Sequence, residues 1–541
     1  MKKGLLALIF SLTFLLCSCE GGMGGLFGSD TSNPSSQNSQ SSNINDETSS
    51  GDEEENYVEH VDEDDNGVCD DCKQSVLATF DFYAINDIHG KFVDNDSQPG
   101  VDELTTYLKQ AKANNPNTIF LSSGDTWQGM SQSNLTQGLI MTDWMNELDF
   151  ASMTMGNHEF DWGEEAILAN AELAEFPFLA LNIFDSETNE LVEYCQPSVM
   201  VSQKGVNIGI IGAIGDCYSS IAGDKREGFY FKTGSQLTDL VKAESDKLRE
   251  SGADFIVYSI HDGSGGYDDA LADYVDIVFE GHSHQAYVKE DNDGIYHLQG
   301  GGDNSGISHA KVVINYANET SNVSKAEVIR SSIYDNCEKD PIVNQLLEKY
   351  ADQISIADQV VGYNETFRSS DYLCDKVAEL YYQTGIETWG KQYDIALGGA
   401  FLQARSPYDL AVGDIKYSDL HGIFPFDNPI VLCAISGSKL QSRFLNPADR
   451  YHTYIPADVY ADLSANLDYN ATYYIVTDTY TSTYAANGLT EVERYDEITF
   501  ARDLLAEYAK AGGFGEKQEA QCKTIPELLA ICEALAYYEE S

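Results

Sequence analysis

From Leu77 onward, two kinds of hydrophobic pattern alternate along the chain. Short, nearly continuous apolar runs such as LATFDFYAI (from Leu77) and NTIFLSS (from Asn117) predict strands. Between them, VDELTTYLKQAKAN (from Val101) and GLIMTDWMNELD (from Gly138) carry apolar residues at helical spacing. Strand-like and helix-like runs in turn predict an α/β layered fold, and the rhythm persists to about Val328. Near Asp340 and Pro341 the texture changes to PIVNQLLEKYADQI, a predicted helical connector. Beyond it come a helical YLCDKVAELYYQTG, strand-like YDIALGG, PIVLCAIS and YYIVTDTY, and a final helical ARDLLAEYAKAG. These predict a second, smaller α/β or α+β domain. No internal repeat is visible.

Length and composition agree with this division. A chain of 541 residues exceeds one hydrophobic core and suggests roughly two to four domains. The balance of 32 basic against 88 acidic side chains, a formal charge of −56, excludes a nucleic acid polymer as partner, since phosphate backbones require clustered Lys and Arg. A small anionic substrate would need local positive charge, and bound metal ions are an obvious source.

The N-terminus, MKKGLLALIFSLTFLLCSCE, places two lysines before an apolar run too short to span a bilayer, the layout of a secretory signal over residues 1–19. Its ending Leu16-Cys17-Ser18-Cys19 resembles a bacterial lipobox with Cys19 as the lipidated residue; an ordinary cleaved signal is the plainer reading. Losing Cys17 and lipidating Cys19 would leave an odd number of the 11 cysteines, so no complete disulfide framework is implied. Residues 20–76 are rich in Gly, Ser, Asn and acid and predict a solvated tether. Within it, HVDEDDNGVCDDCK (60–73) stands apart. Asp62, Asp64, Asn66 and Gly67 fit the opening of a calcium loop, but Lys73 occupies the position of the closing acid. His60, Cys69 and Cys72 would alternatively supply three zinc ligands, the two cysteines a tight disulfide, or the stretch is an acidic linker with incidental thiols.

The chemistry lies in five apolar runs that each end in a polar cluster. FYAINDIHG carries Asp87 and His89; FLSSGD carries Asp125; MTMGNHEFD carries Asn157, His158 and Asp161; IVYSIHDG carries His261; IVFEGHSH carries His282 and His284. Any one of them alone reads as a polar turn. Five in order use five of the 10 histidines, and in an α/β sheet the carboxyl ends of strands converge on one crevice. Asp, Asn and His are a hard to borderline ligand set that suits zinc, manganese or iron. The count exceeds what one ion needs, and two ions sharing a bridging carboxylate would use it naturally.

In these motifs the chain resembles the bacterial 5′-nucleotidases, whose first domain is a calcineurin-type metallophosphatase, from about Ala78 to the C-terminus. The resemblance implies a layered metallophosphatase domain (77–335) with a β-sandwich core flanked by helices. A connector (336–355) and a smaller substrate-binding domain (356–541) would follow. It also implies that Asp87, His89, Asp125 and His284 hold one divalent ion, and that Asp125, Asn157, His261 and His282 hold a second. His158 would then meet the phosphoryl group, with Asp161 orienting its imidazole. In LGGAFLQARSPYDLAVGDIKYSDLHGIFPFDNPIV, Arg405 matches the family's substrate arginine, and Phe426 and Asn428 fall in its PF-x-N element. The chain departs from the pattern in lacking the usual Asn before the glycines, where Leu397 is adjacent, and in a stretched spacing to Arg405. Tyr480 and Tyr484 lie where the family places an aromatic that stacks on the base; packing in a core or between domains is the plainer reading.

The expected function is a secreted, membrane-tethered phosphoesterase acting on nucleotides. A cyclic-nucleotide phosphodiesterase or a nucleotide-sugar diphosphatase would use the same ligands. A non-catalytic surface lipoprotein of the same fold predicts missing metal ligands, and none is missing.

Overall fold

The computed structural model describes residues 61–516 except 65, 95–98, 264–266, 319, 402–407, 447–450, 484 and 496–499. The signal, Cys19, His60, Arg405 and Tyr484 therefore lie outside the described residues.

The expected strand Leu77–Ile85 and helix Val101–Asn114 form over the stretches whose patterns predict them. Leu77–Ile85 lies at the centre of a six-stranded sheet. Thr118–Ser122, Ser152–Thr154 and Phe178–Leu179 follow in parallel on one side; on the other Gly306–Asn315 pairs antiparallel with the central strand, and Thr320–Arg330 pairs antiparallel with Gly306–Asn315. A second six-stranded sheet places Val206–Ile214, Phe255–His261, Ile277–Glu280 and Tyr296–Gly300 in parallel, edged by Ser198–Gln203 and Ala286–Glu290.

The two sheets meet face to face over a wholly apolar layer. Phe82 fills its centre, with ring centroids 5.8 Å from Phe255 and 6.4 Å from Phe279. Strands buried on both faces explain the continuous apolar runs, because parallel sheets need cover on each side. That cover comes from helices Val101–Asn114 and Leu139–Asn146 on the first sheet and Ser235–Glu250 on the second. The layered sandwich flanked by helices is as expected.

Beyond Arg330, helix Pro341–Lys349 opens on an Asp340 cap and packs Val343 and Leu346 into the first core. A five-stranded mixed sheet follows, in the order Tyr451–Tyr454, Ile395–Phe401, Thr472–Asp478, Ile430–Ser436, Thr490–Arg494. The 20-residue helix Ser370–Trp389 packs on it.

Two local expectations change. The strand-like YYIVTDTY ends at Asp478, whose carboxylate accepts from the Thr481 amide (2.7 Å) and turns the chain into a short helix, so Tyr480 is helical. The described residues of 61–76 are largely exposed, as expected of a tether, but Asp62, Gly67, Cys69 and Val76 are buried and hold the stretch to the domain. Asp62, 2% exposed, accepts from the Asn66 and Gly67 amides and from Asn315 Nδ2, which pins this loop to the end of strand Gly306–Asn315. Among the described residues, no helix is long and apolar enough to cross a membrane.

Replacing Phe82 by Ala leaves a void between two sheets that cannot collapse independently. We expect a loss of about 3–5 kcal/mol in denaturant unfolding, with metal content of the purified protein unchanged because the residue lies in the apolar layer and not among the candidate ligands.

Candidate metal centre

The five polar clusters meet at the carboxyl-end edge of the parallel strands. Asp87 and His89 follow Leu77–Ile85, Asp125 follows Thr118–Ser122, Asn157 follows Ser152–Thr154, His261 ends its own strand, and His282 and His284 follow Ile277–Glu280. Asp87, His89, Asp125, His282 and His284 all take left-handed backbone conformations, with φ between 47° and 70°. Such strain in non-glycine residues persists where the surroundings over-determine it. Gly156 allows the close approach of these loops: a Cβ there would lie 2.4 Å from Asp125 Oδ1.

Four of the candidate ligand side chains, Asp87, Asp125, His89 and His261, are each held by one atom and offer another. Asp87 Oδ2 accepts from Asn86 Nδ2 (2.7 Å) and the His282 amide (2.8 Å), which leaves Oδ1 buried with no hydrogen-bond partner. Asp125 Oδ1 accepts from the His158 amide (2.8 Å), and Oδ2 stands 3.1 Å from His261 Nε2. His89 Nδ1 contacts Gln128 O (2.9 Å) and His261 Nδ1 contacts Ser123 O (2.7 Å). A carbonyl only accepts, so in both rings Nδ1 carries the proton and the neutral imidazole turns its Nε2 lone pair inward.

What converges there is a set of acceptors. His89 Nε2 and His284 Nε2 are 3.3 Å apart, His284 Nε2 is 3.3 Å from Asp87 Oδ1, and His89 Nε2 is 3.9 Å from Asp125 Oδ2. His282 Nδ1 and Asn157 Oδ1 face each other at 2.9 Å. Electron-pair donors this close fit divalent cations, and in their absence His282 Nδ1 and Asn157 Oδ1 share a proton. Without a cation the site draws in protons. Burial opposes a charged His261, yet the carboxylates of Asp125 and Asp87 outweigh it and push the imidazole up to about 10. His282 is pushed down to about 4 by burial and by the charge on His261.

His158 stands beside this group with its ring 5.5 Å from that of His89, and its Nδ1 meets Asp161 Oδ2 at 2.8 Å. From the C-terminal half, Phe426 approaches His158, with centroids 5.5 Å apart and planes at 30°. Asn428 lies half-buried two residues further on. Tyr480 sits in the short helix Thr479–Thr483, whose Thr483 side chain approaches Gly223.

Sequence reasoning missed the residues that support the ligands. Glu159, fully buried, accepts from the amides of Asp125 (2.9 Å), Thr126 (2.8 Å), Trp127 (3.3 Å) and Gly156 (2.8 Å), and so ties two ligand loops together. Burial and the nearby Asp125 push its carboxyl up to about 7, against the amide donors that favour the ionised form. It lies inside GNHEFD, where its spacing from Asn157 was the available signal. Cys217, whose thiol donates to His261 O, and Asp303, which pairs with Lys91 at 3.5 Å, have no local signal.

Residues 80–286 match the calcineurin-like phosphoesterase family, so the chain carries a metallophosphatase domain of that class. An apyrase of Tabanus yao is 33% identical over 223 residues, 38% of this chain and 39% of the apyrase, so the match spans about two fifths of that relative. A snake venom 5′-nucleotidase of Naja atra is 25% identical over 419 residues, 68% of this chain and 77% of the relative. The crystal structure of a 5′-nucleotidase precursor from Thermus thermophilus superposes with a TM-score of 0.61 at 19% identity, covering 80% of this chain and 96% of that one. The metallophosphatase domain and its 5′-nucleotidase relatives agree with the resemblance seen in the motifs.

Glu159→Gln would set an amide group against backbone donors and orphan at least one of them. A loss of roughly 2–4 kcal/mol in unfolding free energy is expected. Elemental analysis should find bound metal reduced, although Glu159 is not among the candidate ligands.

Proposed function

We propose that the chain is a secreted phosphoesterase that holds two divalent ions, zinc, manganese or iron, and releases phosphate from nucleotides as a 5′-nucleotidase does. The observation that carries this reading is that the ligand atoms of Asp87, His89 and His284, and those of Asp87, Asp125 and His261, each lie within 4.8 Å of one another, with His282 and Asn157 in contact beside His261. Asp87, His89, Asp125 and His284 hold one ion; Asp125, Asn157, His261 and His282 hold the other. Two such ions supply Lewis acidity for the attacking water and charge against the phosphoryl oxygens.

The chain's own groups do the rest. Phosphoryl transfer asks mainly for positioning and electrostatics. Asp161 engages His158 Nδ1, so the opposite ring nitrogen is the one open to the leaving-group oxygen, where a protonated ring stabilises the departing alkoxide. A formal charge of −56 repels a nucleotide at long range, so affinity comes from local cations and stacking. In this reading residues 77–335 hold metals and phosphate, and residues 356–541, joined through 336–355, choose the leaving group. Arg405, Phe426, Asn428, Tyr480 and Tyr484 make that choice. Cys19 anchors the protein by a lipid to the outer face of the membrane, with residues 20–60 as spacer.

Chelation is expected to abolish hydrolysis, and Asp125→Ala to lower metal content together with rate, since one carboxylate serves both ions. Full activity in a metal-free sample overturns the reading. His158→Asn, in contrast, should keep both ions while kcat falls on the order of 10²–10⁴-fold. If metal is lost in step with the rate, His158 is a ligand support and not an acid.

A further inference from the structure

Residues 425–427 lie in the C-terminal half, yet most of what holds them is supplied by the loops of the metal centre. Pro425 O accepts from Gln128 Nε2 (2.9 Å) and Asn134 Nδ2 (2.7 Å), both a few residues beyond Asp125. Asp427 Oδ2 accepts from the indole N–H of Trp162 (3.0 Å), four residues beyond His158. Its Oδ1 accepts from Nη2 of Arg502, a residue 4% exposed on helix Ala501–Lys510. The other arm of Arg502 donates to Phe426 O (3.2 Å), and its guanidinium lies 4.7 Å over the Phe500 ring.

Phe426 is thus fixed on both sides by hydrogen bonds to its own backbone and to its neighbours. Its carbonyl is tied to Arg502, its neighbour's carboxylate spans Arg502 and Trp162, and its preceding carbonyl is tied to the Asp125 loop. The ring has little freedom to leave its place 5.5 Å from His158. A carboxylate shared between a buried guanidinium and an indole donor makes directional, charge-assisted bonds, stronger than neutral ones.

We propose that Asp427, clamped between Trp162 and Arg502, is a positioning residue that sets the Phe426 ring against His158 and so determines how a nucleobase-bearing leaving group is held. The proposal rests on the reading of His158 and Phe426 as substrate-facing groups. An alternative role, in which the clamp only docks the two halves of the chain, would act on every substrate alike.

The test compares adenosine monophosphate with ribose 5-phosphate, which differ only in the base, using the full metal-loaded chain. Asp427→Asn keeps the shape and weakens both bonds, and Trp162→Phe keeps a ring and removes one donor. We expect KM for adenosine monophosphate to rise about tenfold in Asp427→Asn, the usual worth of one bond to a charged group. Trp162→Phe should move it less, and both variants should keep kcat/KM for ribose 5-phosphate within about twofold. In a Phe426→Ala background, Asp427→Asn should add less than about twofold, because the residue acts through the ring. Equal losses on both substrates, or a full further loss in the Phe426→Ala background, overturn the proposal and assign the clamp to docking alone. A thermal unfolding midpoint for each variant separates that outcome from misfolding, with Trp162→Phe as the milder variant that keeps the comparison open. If the unaltered chain hydrolyses neither ester, the proposed function itself fails. If it hydrolyses both and Asp427→Asn matches it on both, only the clamp fails.

Discussion

Two carboxylates with almost no exposure, Asp87 and Asp125, face imidazole lone pairs across distances of 3.1–3.9 Å, and the rest of the structure is arranged to keep them there. Buried negative charge without a partner is costly enough to unfold a loop or protonate the group. Here one oxygen of each carboxylate is fixed by backbone amides and the other is left open. The compensation must come from outside the chain, as a cation, or from a proton on His261. This is why the ligand loops accept left-handed backbone and why Glu159, itself an acid, is buried beside them: its oxygens gather the amides that the strained turns leave over.

The double sheet makes that arrangement stiff. Thr154, Ser259 and Ser123 join hydroxyls beneath the ligands at 2.7 and 3.0 Å, which links three strand ends across the two sheets. Below them the Phe82 layer excludes water and fixes the spacing of the sheets. Above them the metal loops continue into Gln128, Asn134 and Trp162, the residues that grip the C-terminal half. Several of the groups that present Phe426 therefore follow directly on the loops that would hold cations, so geometry at the phosphoryl site and geometry at the leaving group are linked.

Burial also sorts the acids by role. Asp125 is held well below the usual carboxylate range despite its burial, chiefly by His261, and suits a ligand that must stay ionised. Asp478, buried with one amide and two side-chain partners, is pushed up to about 6 and serves instead to end a strand and start a helix. In a chain with 88 acidic residues, what distinguishes a ligand from a cap is the imidazoles around it and not the carboxylate itself.

Much of this protein was legible along the chain. Continuous apolar runs of LATFDFYAI type mark strands covered on both faces, because a side chain with no solvent-facing option must be apolar at every position. The clusters after them mark strand ends, because polar ligands need the crevice that those ends form. Local pattern therefore sufficed for the sheet layers and their flanking helices, and it singled out the polar clusters from Asp87 to His284 that the fold gathers at one edge. It failed where a residue's role depends on a partner far away in sequence. Asp62 reads as part of a local loop, and nothing along the chain signals that its carboxylate also binds Asn315, a residue 253 positions distant. Tyr480 reads as the end of a strand until Asp478 caps a helix. Trp162, Asp427 and Arg502 carry no motif at all: an indole, a carboxylate and a guanidinium 265 and 75 positions apart become one clamp only when two halves of the chain meet, and hydrogen bonds of that kind are decided by tertiary packing alone.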